Sequence, residues 1–93
     1  MRRLAEFKEV KKIQPEVYLS AIAGKDVIVH GYDYKPGFLR LWCVLDVELP
    51  DESRVNVLTS DKDVIEVLVM ALANGAFPVQ ARFVRTKKGW DIQ

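Results

Sequence analysis

The segment from residue 38 to residue 48, FLRLWCVLDVE, constrains the fold more than any other part of the chain. Its apolar residues recur with period two, which predicts a β-strand that turns one face to a core. The predicted inner face consists of Leu39, Leu41, Cys43, Leu45 and Val47. The other face carries Phe38, Arg40 and Trp42 at one end and acidic residues only at the far end. That face therefore combines rings that can stack on flat partners with a guanidinium group that attracts anions.

The chain has 93 residues, enough for one domain with one core, and its 49% apolar and 29% charged residues are typical of a soluble protein. Residues 1–9 are charged and lack an apolar run, so we expect no secretory signal. The most apolar window, residues 64–73, is too short to span a bilayer, so we expect no contact with a membrane. The single cysteine, Cys43, cannot form an internal disulfide and is predicted to be a buried thiol. These features favour the cytoplasm.

The formal net charge of +1 is low for a nucleic-acid-binding protein, but the distribution of charge matters more than its total. Acidic residues cluster in the ranges 46–52 and 61–66. Basic residues cluster elsewhere, at Arg2, Arg3, Lys8, Lys11, Lys12, Lys35, Arg40, Arg82, Arg85, Lys87 and Lys88. The sequence therefore predicts that the two signs of charge lie on different parts of the surface.

Helical spacing of apolar residues predicts a short helix over residues 3–12 and a second over residues 15–23. The second helix would begin at Pro15, end at Gly24 and bury a stripe of side chains. That stripe consists of Val17, Tyr18, Ala21 and Ile22. Alternation and turn residues then predict strands over residues 27–34, 38–48, 54–60, 79–85 and 90–93. We expect Gly31 to mark a bulge or a sharp bend in the first of these strands, and Val55, Val57 and Thr59 to share one face of the third.

A third helix is predicted between residues 61 and 74, capped by Ser60 and ended by Gly75. It has almost no polar face, so we expect burial on more than one side, with Val64, Leu68 and Leu72 in the core. The helix also carries more apolar surface than one small domain can cover, at Val69, Met70 and Ala73. We therefore also expect a homodimer, formed through this helix or through the leading helices.

The order of three strands, a helix and two strands predicts a mainly β protein with an OB-fold, a five-stranded Greek-key barrel with its helix between strands three and four. One domain would comprise residues 1–93, with residues 1–23 as a helical extension and residues 26–93 as the barrel. A plain α+β sandwich of four or five antiparallel strands is the alternative architecture.

Four segments of the chain carry a family resemblance: residues 22–32 (IAGKDVIVHGY), 58–65 (LTSDKDVI), 77–81 (FPVQA) and 88–92 (KGWDI). They resemble segments of small single-stranded DNA-binding OB proteins of archaea, their viruses and phages, and the resemblance covers residues 22–93. It implies an OB barrel that binds single-stranded DNA without catalysis.

Residues that could support catalysis are few. His30 is the only histidine and has no cysteine or carboxylate at motif spacing, whereas metal and nucleophile sites need several such groups together. Asp61 and Asp63 fit the ordinary acidic start of a helix. Gly24-Lys25 and Gly37 lack the spacing of a phosphate-binding loop. We therefore expect no enzyme, no metal, no cofactor and no small-molecule substrate.

The candidate binding residues lie where an OB-fold takes its ligand, on strands two and three between the loops that join strands one to two and four to five. They are Tyr32, Tyr34, Lys35, Phe38, Arg40, Trp42, Arg54, Asn56, Lys87, Lys88 and Trp90. The rings would stack on bases, and the basic side chains would contact phosphates. Core positions remain an alternative for Trp42 and Trp90. The leading hypothesis is a module that binds single-stranded nucleic acid, with DNA favoured by the resemblance. The alternative is a protein-interaction module that uses the same exposed aromatic patch.

Overall fold

The computed structural model describes residues 14–37 and 39–93. The helix predicted over residues 3–12 and the predicted binding residue Phe38 lie outside the described residues. The other predicted elements can be compared directly with the structure.

The described residues form six strands, one 3-10 helix and one α-helix. In chain order these are β1 (Glu16–Tyr18), the 3-10 helix (Leu19–Ile22), β2 (Asp26–Pro36), β3 (Leu41–Glu48), β4 (Arg54–Thr59), α1 (Lys62–Ala73), β5 (Val79–Thr86) and β6 (Gly89–Ile92). The five predicted strands are therefore present, with bounds shifted by a few residues, and β1 is a sixth.

The strands form one curled, half-barrel sheet in the order β1-β4-β3-β2-β5-β6. Only the pairing of β1 with β4 is parallel, and the other four pairings are antiparallel. The protein is therefore mainly β, as the alternating pattern predicted. No helix within residues 14–37 and 39–93 is long and apolar enough to cross a membrane.

The core lies on the inner face of the curled sheet. On β3 the alternation predicted from the sequence holds for Cys43, Leu45 and Val47, which are fully buried. The prediction is wrong for Leu41 and Leu39, which are 51% and 86% exposed. Leu41 is the first residue of β3 and Leu39 precedes the strand, so both lie past the end of the core. The other buried apolar residues are Leu19, Ile22, Val27, Val29, Val55, Val57, Val64, Leu68 and Phe83.

The predicted stripe of the third helix is only partly correct. In α1, Val64 and Leu68 are buried, but Leu72 is 58% exposed. Burial on several sides is therefore wrong, because the helix contacts the core mainly through its first two turns. The cap is Asp61 rather than Ser60, since the Asp61 carboxylate accepts a hydrogen bond from the Val64 N–H at 3.0 Å. The helix ends at the expected place, where Gly75 has a φ of +62°.

The helix predicted over residues 15–23 is wrong for its first half and holds only for Leu19–Ile22, which form a 3-10 helix. The Asn56 N–H donates to the Pro15 carbonyl at 2.8 Å, and the next three residues form β1 alongside β4. An available strand edge thus outweighs weak local helix preference. Of the predicted stripe only Ile22 is buried, while Tyr18 is 62% exposed and Ala21 is exposed.

The predicted bulge in β2 is present. Val29 lies opposite Val47, but Gly31 lies opposite Asp46, so two steps along β2 match one step along β3. His30 is the extra residue. The bulge exchanges the two faces of β2, because each side chain beyond it points to the side opposite to that expected from the period of two.

Candidate functional site

A groove of about 590 Å³ lies at one end of the sheet, between the start of β3, the end of β4 and the β5–β6 hairpin. Its lining consists of Tyr18, Leu19, Ser20, Arg40, Trp42, Leu58, Thr59, Ser60, Asp61, Lys62, Arg85 and Trp90. A side recess of about 260 Å³ shares Tyr18, Trp42 and Leu58 with the groove and extends to Lys35, Pro36 and Gly37. The two hollows therefore adjoin at these three shared residues.

Trp42 lies in the groove because its neighbour Cys43 points into the core, and successive side chains on a strand face opposite ways. The indole is half-buried and packs beside Tyr18, with the ring centroids 6.1 Å apart and tilted by 54°. Gly37 makes room for it, since a Cβ atom there would overlap the ring and lie 2.6 Å from its Nε1 atom. The two rings form an aromatic wall shared by the groove and the side recess.

Trp90 lines the groove from the β5–β6 hairpin. It is half-buried and packs partly against the core. Arg85 lies directly opposite Trp90 in the β5–β6 pairing, and its guanidinium carbon is 5.4 Å from the centroid of the ring. This distance is within the range of a cation–π interaction. Trp90 therefore belongs partly to the core and partly to the surface of the groove.

The groove carries three basic side chains. Arg40 donates from Nη1 to the Ser60 hydroxyl at 3.3 Å, Arg85 lies over Trp90, and Lys62 opens α1. None of the three forms an ion pair with another residue of the described part of the chain. Asp61 is the one acid among the described lining residues, and it is occupied as the cap of α1. The groove is thus suited to an anion.

The opposite end of the sheet has the other sign of charge. A hollow of about 770 Å³ there includes Asp26, Glu48 and Glu52 in its lining, and its described lining residues include no lysine or arginine. The predicted separation of acidic and basic residues is therefore only partial, because Asp26 of this hollow pairs with Arg82 at 2.8 Å and Asp46 pairs with Arg54 at 2.6 Å. An anionic chain would be attracted to the groove rather than to this hollow.

Arg54 and Asn56 do not line the groove, although both were predicted to bind. Arg54 donates from Nε and Nη2 to the two Asp46 oxygens, at 3.1 and 2.6 Å. The Gln14 amide donates to Asp46 at 2.9 Å and to the Asn56 side-chain oxygen at 3.3 Å. These internal partners compete with any ligand, so Arg54 and Asn56 serve the structure of β4 better than a phosphate contact.

Tyr32 and Tyr34 lie on the opposite face of the sheet from Trp42. They follow the bulge of β2 and pair with Leu45 and Cys43, and directly paired residues share a face. Tyr32 packs against the core and against the Phe77 ring at 5.9 Å, while Tyr34 is 46% exposed. Burial, followed by the Tyr34 hydroxyl, raises the pKa of Tyr32. The structure therefore separates these two tyrosines from the groove.

The remaining predicted residues lie near the groove without lining it. Lys35 borders the side recess, and its ammonium group is 3.5 Å from a Glu16 oxygen. Lys87 and Lys88 are exposed in the turn between β5 and β6, beyond Trp90. They could contact a ligand that leaves the groove at that hairpin.

Three aromatic or basic residues that line the groove are absent from the predicted binding residues, namely Tyr18, Lys62 and Arg85. Tyr18 was assigned to a helix, although the alternation in Glu16-Val17-Tyr18 is also that of a short strand. Lys62 was considered only as part of a helix start, and Arg85 only as part of a basic cluster. For Lys62 and Arg85 the sequence signal is their place beside predicted strand ends, which meet only once the sheet is curled.

Other reactive groups lie away from the groove. His30 Nε2 is 2.9 Å from a Glu48 oxygen, so the only histidine has a partner. Burial, followed by the charge of Asp33, raises the pKa of the Cys43 thiol, which makes the reactive thiolate scarce. Residues 14–37 and 39–93 contain no group of three metal-ligating side chains.

The Asp46–Arg54 pair predicts a dependence of stability on pH. Burial opposes the charged carboxylate, but hydrogen bonds from Arg54 and Gln14 outweigh it and lower the pKa of Asp46. A carboxyl group whose pKa is lowered in the folded state stabilises the protein at pH values above its ordinary pKa. This stabilisation is lost as the pH falls through the lowered pKa of the folded state. Because the pair is partly exposed, we expect a loss of about 0.2–1 kcal/mol. Denaturant melts from neutral to acidic pH measure it, and Asp46→Asn should remove this component.

Comparison of the chain with protein-family models, with curated proteins and with solved structures finds no match.

Proposed function

We propose that this protein binds single-stranded nucleic acid in the groove through an OB-type barrel. The observation that carries the proposal is the Tyr18–Trp42 aromatic wall beside Arg40, Lys62 and Arg85, which have no ion-pair partner among the described residues. Aromatic side chains and basic groups in one groove are the combination by which single strands are held.

The chemistry of the groove favours a single strand over a duplex. The bases of a duplex are stacked on each other and cannot lie against a side-chain ring, whereas the bases of a single strand can. Each base stacked on an aromatic side chain contributes about 1–3 kcal/mol, and this term is tolerant of sequence. Trp42 and Tyr18 would stack on bases while Arg40 and Arg85 contact phosphates. DNA is favoured over RNA through the sequence resemblance.

The order of the strands supports the OB-type barrel. A Greek key places its fourth strand beside its first, in the order 4-1-2-3, and β5-β2-β3-β4 has this order. The groove adjoins the β2–β3 and β5–β6 hairpins, which correspond to the two loops that flank the ligand in that fold. An OB domain covers about 4–16 nucleotides. The proposal includes no catalytic step, and we place the protein in the cytoplasm, where a free buried thiol such as Cys43 is ordinary.

A protein-interaction module is the second candidate. The observation that favours it is the outer side of α1, where Val67, Val69, Met70 and Leu72 are 40–62% exposed. Exposed apolar side chains in such a group are typical of contact surfaces. Contact of α1 with a second copy of the chain, the dimer expected from the sequence, is one form of this candidate.

Titration with a short oligothymidylate tests the first candidate, with the fluorescence of Trp42 and Trp90 as the readout. We expect quenching on binding and an affinity that falls steeply as salt is raised, because each neutralised phosphate releases counterions. A parent protein that binds no oligonucleotide at low salt would contradict the proposal. Binding of a partner protein with little dependence on salt would favour the second candidate.

Arg40→Ala should lower the slope of log affinity against log salt by about 0.7, the value for one phosphate on a single strand. Arg54→Ala is the matched control, because Arg54 is already paired with Asp46 and should leave the slope nearly unchanged. Equal slopes for Arg40→Ala and the parent would remove Arg40 from the binding site. A larger change of the salt slope in Arg54→Ala would mean that the nucleic acid lies along β4 instead.

A further inference from the structure

The β2–β3 hairpin has an unpaired edge in the described part of the chain. β5 pairs with β2 only from Asp26 to Val29, whereas β3 pairs with β2 as far as Pro36. Beyond the bulge, the segment from Tyr32 to Pro36 therefore has a strand on one side only. An edge of this kind presents backbone groups that another strand can bind.

The hydrogen bonds identify which groups face outward. The Gly37 N–H donates to the Arg40 carbonyl at 3.2 Å, so these two residues close the hairpin as a bonded pair. Bonded and non-bonded pairs alternate along an antiparallel ladder. Lys35 and Asp33 therefore bond to β3, and Tyr34 between them directs its backbone groups away from β3. In agreement, the Tyr34 N–H donates to the side chain of Asp33, at 2.8 Å.

We propose that this edge binds the same edge of a second copy of the chain, in an antiparallel pair centred on Tyr34. The segment Tyr32-Asp33-Tyr34-Lys35-Pro36 is complementary to itself in this arrangement. Asp33 lies opposite Lys35 of the partner subunit, and Lys35 lies opposite Asp33 of the partner subunit. Opposite charges placed directly across two strands stabilise the pair, and a two-fold axis produces the contact twice.

The backbone fits the same register. On pairing, the Tyr34 N–H leaves the Asp33 carboxylate, its acceptor in the single chain, and donates to the carbonyl of Tyr34 of the partner subunit. Each Tyr32 N–H donates to the carbonyl of Pro36 of the partner subunit. This gives about four backbone hydrogen bonds between the subunits. Pro36 has no N–H to donate, but it lies at the end of the pairing, where an edge strand tolerates proline.

Side chains on the inner face add apolar contact. Tyr34 and Leu41 both lie on this face and are 46% and 51% exposed. The two-fold axis brings the Tyr34 rings of both subunits together and covers surface that a single chain leaves exposed. Because the axis is perpendicular to the sheet, both grooves open on the same face of one continuous sheet. The interface itself is independent of nucleic-acid binding.

The charge pattern provides the test by sedimentation of purified proteins without nucleic acid. Asp33→Lys puts lysine opposite lysine, and Lys35→Asp puts aspartate opposite aspartate, so each variant alone should dimerise about tenfold or more weakly than the parent. An equal mixture of the two variants should restore a dimer containing one chain of each, because both cross-strand pairs then have opposite charges. Thermal melts of each variant check that it is folded.

Met70→Glu is the control for the other surface, because Met70 is 62% exposed on α1. We expect this variant to dimerise like the parent. Loss of the dimer in Met70→Glu, with both charge variants unaffected, would assign the dimer to α1 and overturn the proposal. A parent that remains monomeric at its highest soluble concentration would overturn it as well, as would a mixture of charge variants that stays monomeric.

Discussion

Leu68→Ala is expected to lower the free energy of unfolding by about 2–5 kcal/mol, the range measured for buried leucines. Leu68 is 5% exposed and is one of the two buried residues by which α1 closes the core, the other being Val64. Truncation leaves a cavity, because the helix is held at both ends by its cap and by the turn at Gly75. Denaturant unfolding, followed by tryptophan fluorescence, measures the change.

Leu72→Ala is the matched control on the same helix, one turn further along. Leu72 is 58% exposed, so the same chemical change should cost less than about 0.5 kcal/mol. A change near zero for Leu68→Ala would mean that α1 does not close the core. Equal and large losses for both variants would mean that the outer side of α1 is covered in solution, as in a dimer through that helix.

The part of the fold that the sequence predicted is the part governed by local alternation and turn chemistry. The strand through Cys43, Leu45 and Val47, the turn after residue 49 and the helix that ends at Gly75 follow from such rules. β1 could not be predicted in the same way, because its partner β4 is 40 residues away along the chain: Glu16 pairs with Asn56. Local preference favoured a helix there, and the parallel pairing was decided by a distant edge.

The predicted binding residues do not all lie on one face of the sheet, and the reason is again strand pairing rather than local sequence. A period of two fixes which residues share a face only as long as the pairing is regular, and the bulge at His30 shifts it. The sequence indicated that bulge but not its consequence, which is that Tyr32 and Tyr34 face away from Trp42. Charge pairing was equally hidden, because the partner of Arg54 is a residue of the neighbouring strand. Trp42 kept its predicted face because no bulge interrupts β3, and Arg40, just before that strand, lines the same groove.

Trp42→Ala is expected to weaken the binding of a short oligothymidylate by about 1–3 kcal/mol, the contribution of one stacked base. Trp42 faces the groove, and its strand neighbour Cys43 occupies the core, so the core should survive the change. Affinity is measured by anisotropy of a labelled oligonucleotide short enough to occupy one groove. The salt slope should stay unchanged, because a neutral ring releases no counterions.

Tyr34→Ala is the aromatic control for that variant, since Tyr34 lies on the opposite face of the sheet. It should bind the short oligonucleotide like the parent, whereas Tyr18→Ala should share the loss seen with Trp42→Ala because the two rings form one wall. If Tyr34→Ala weakened oligonucleotide binding and Trp42→Ala did not, the oligonucleotide would bind to the other face of the sheet. Unfolding of the Trp42→Ala variant would show that the ring supports the core rather than a ligand, and the groove would lose its main argument for binding bases.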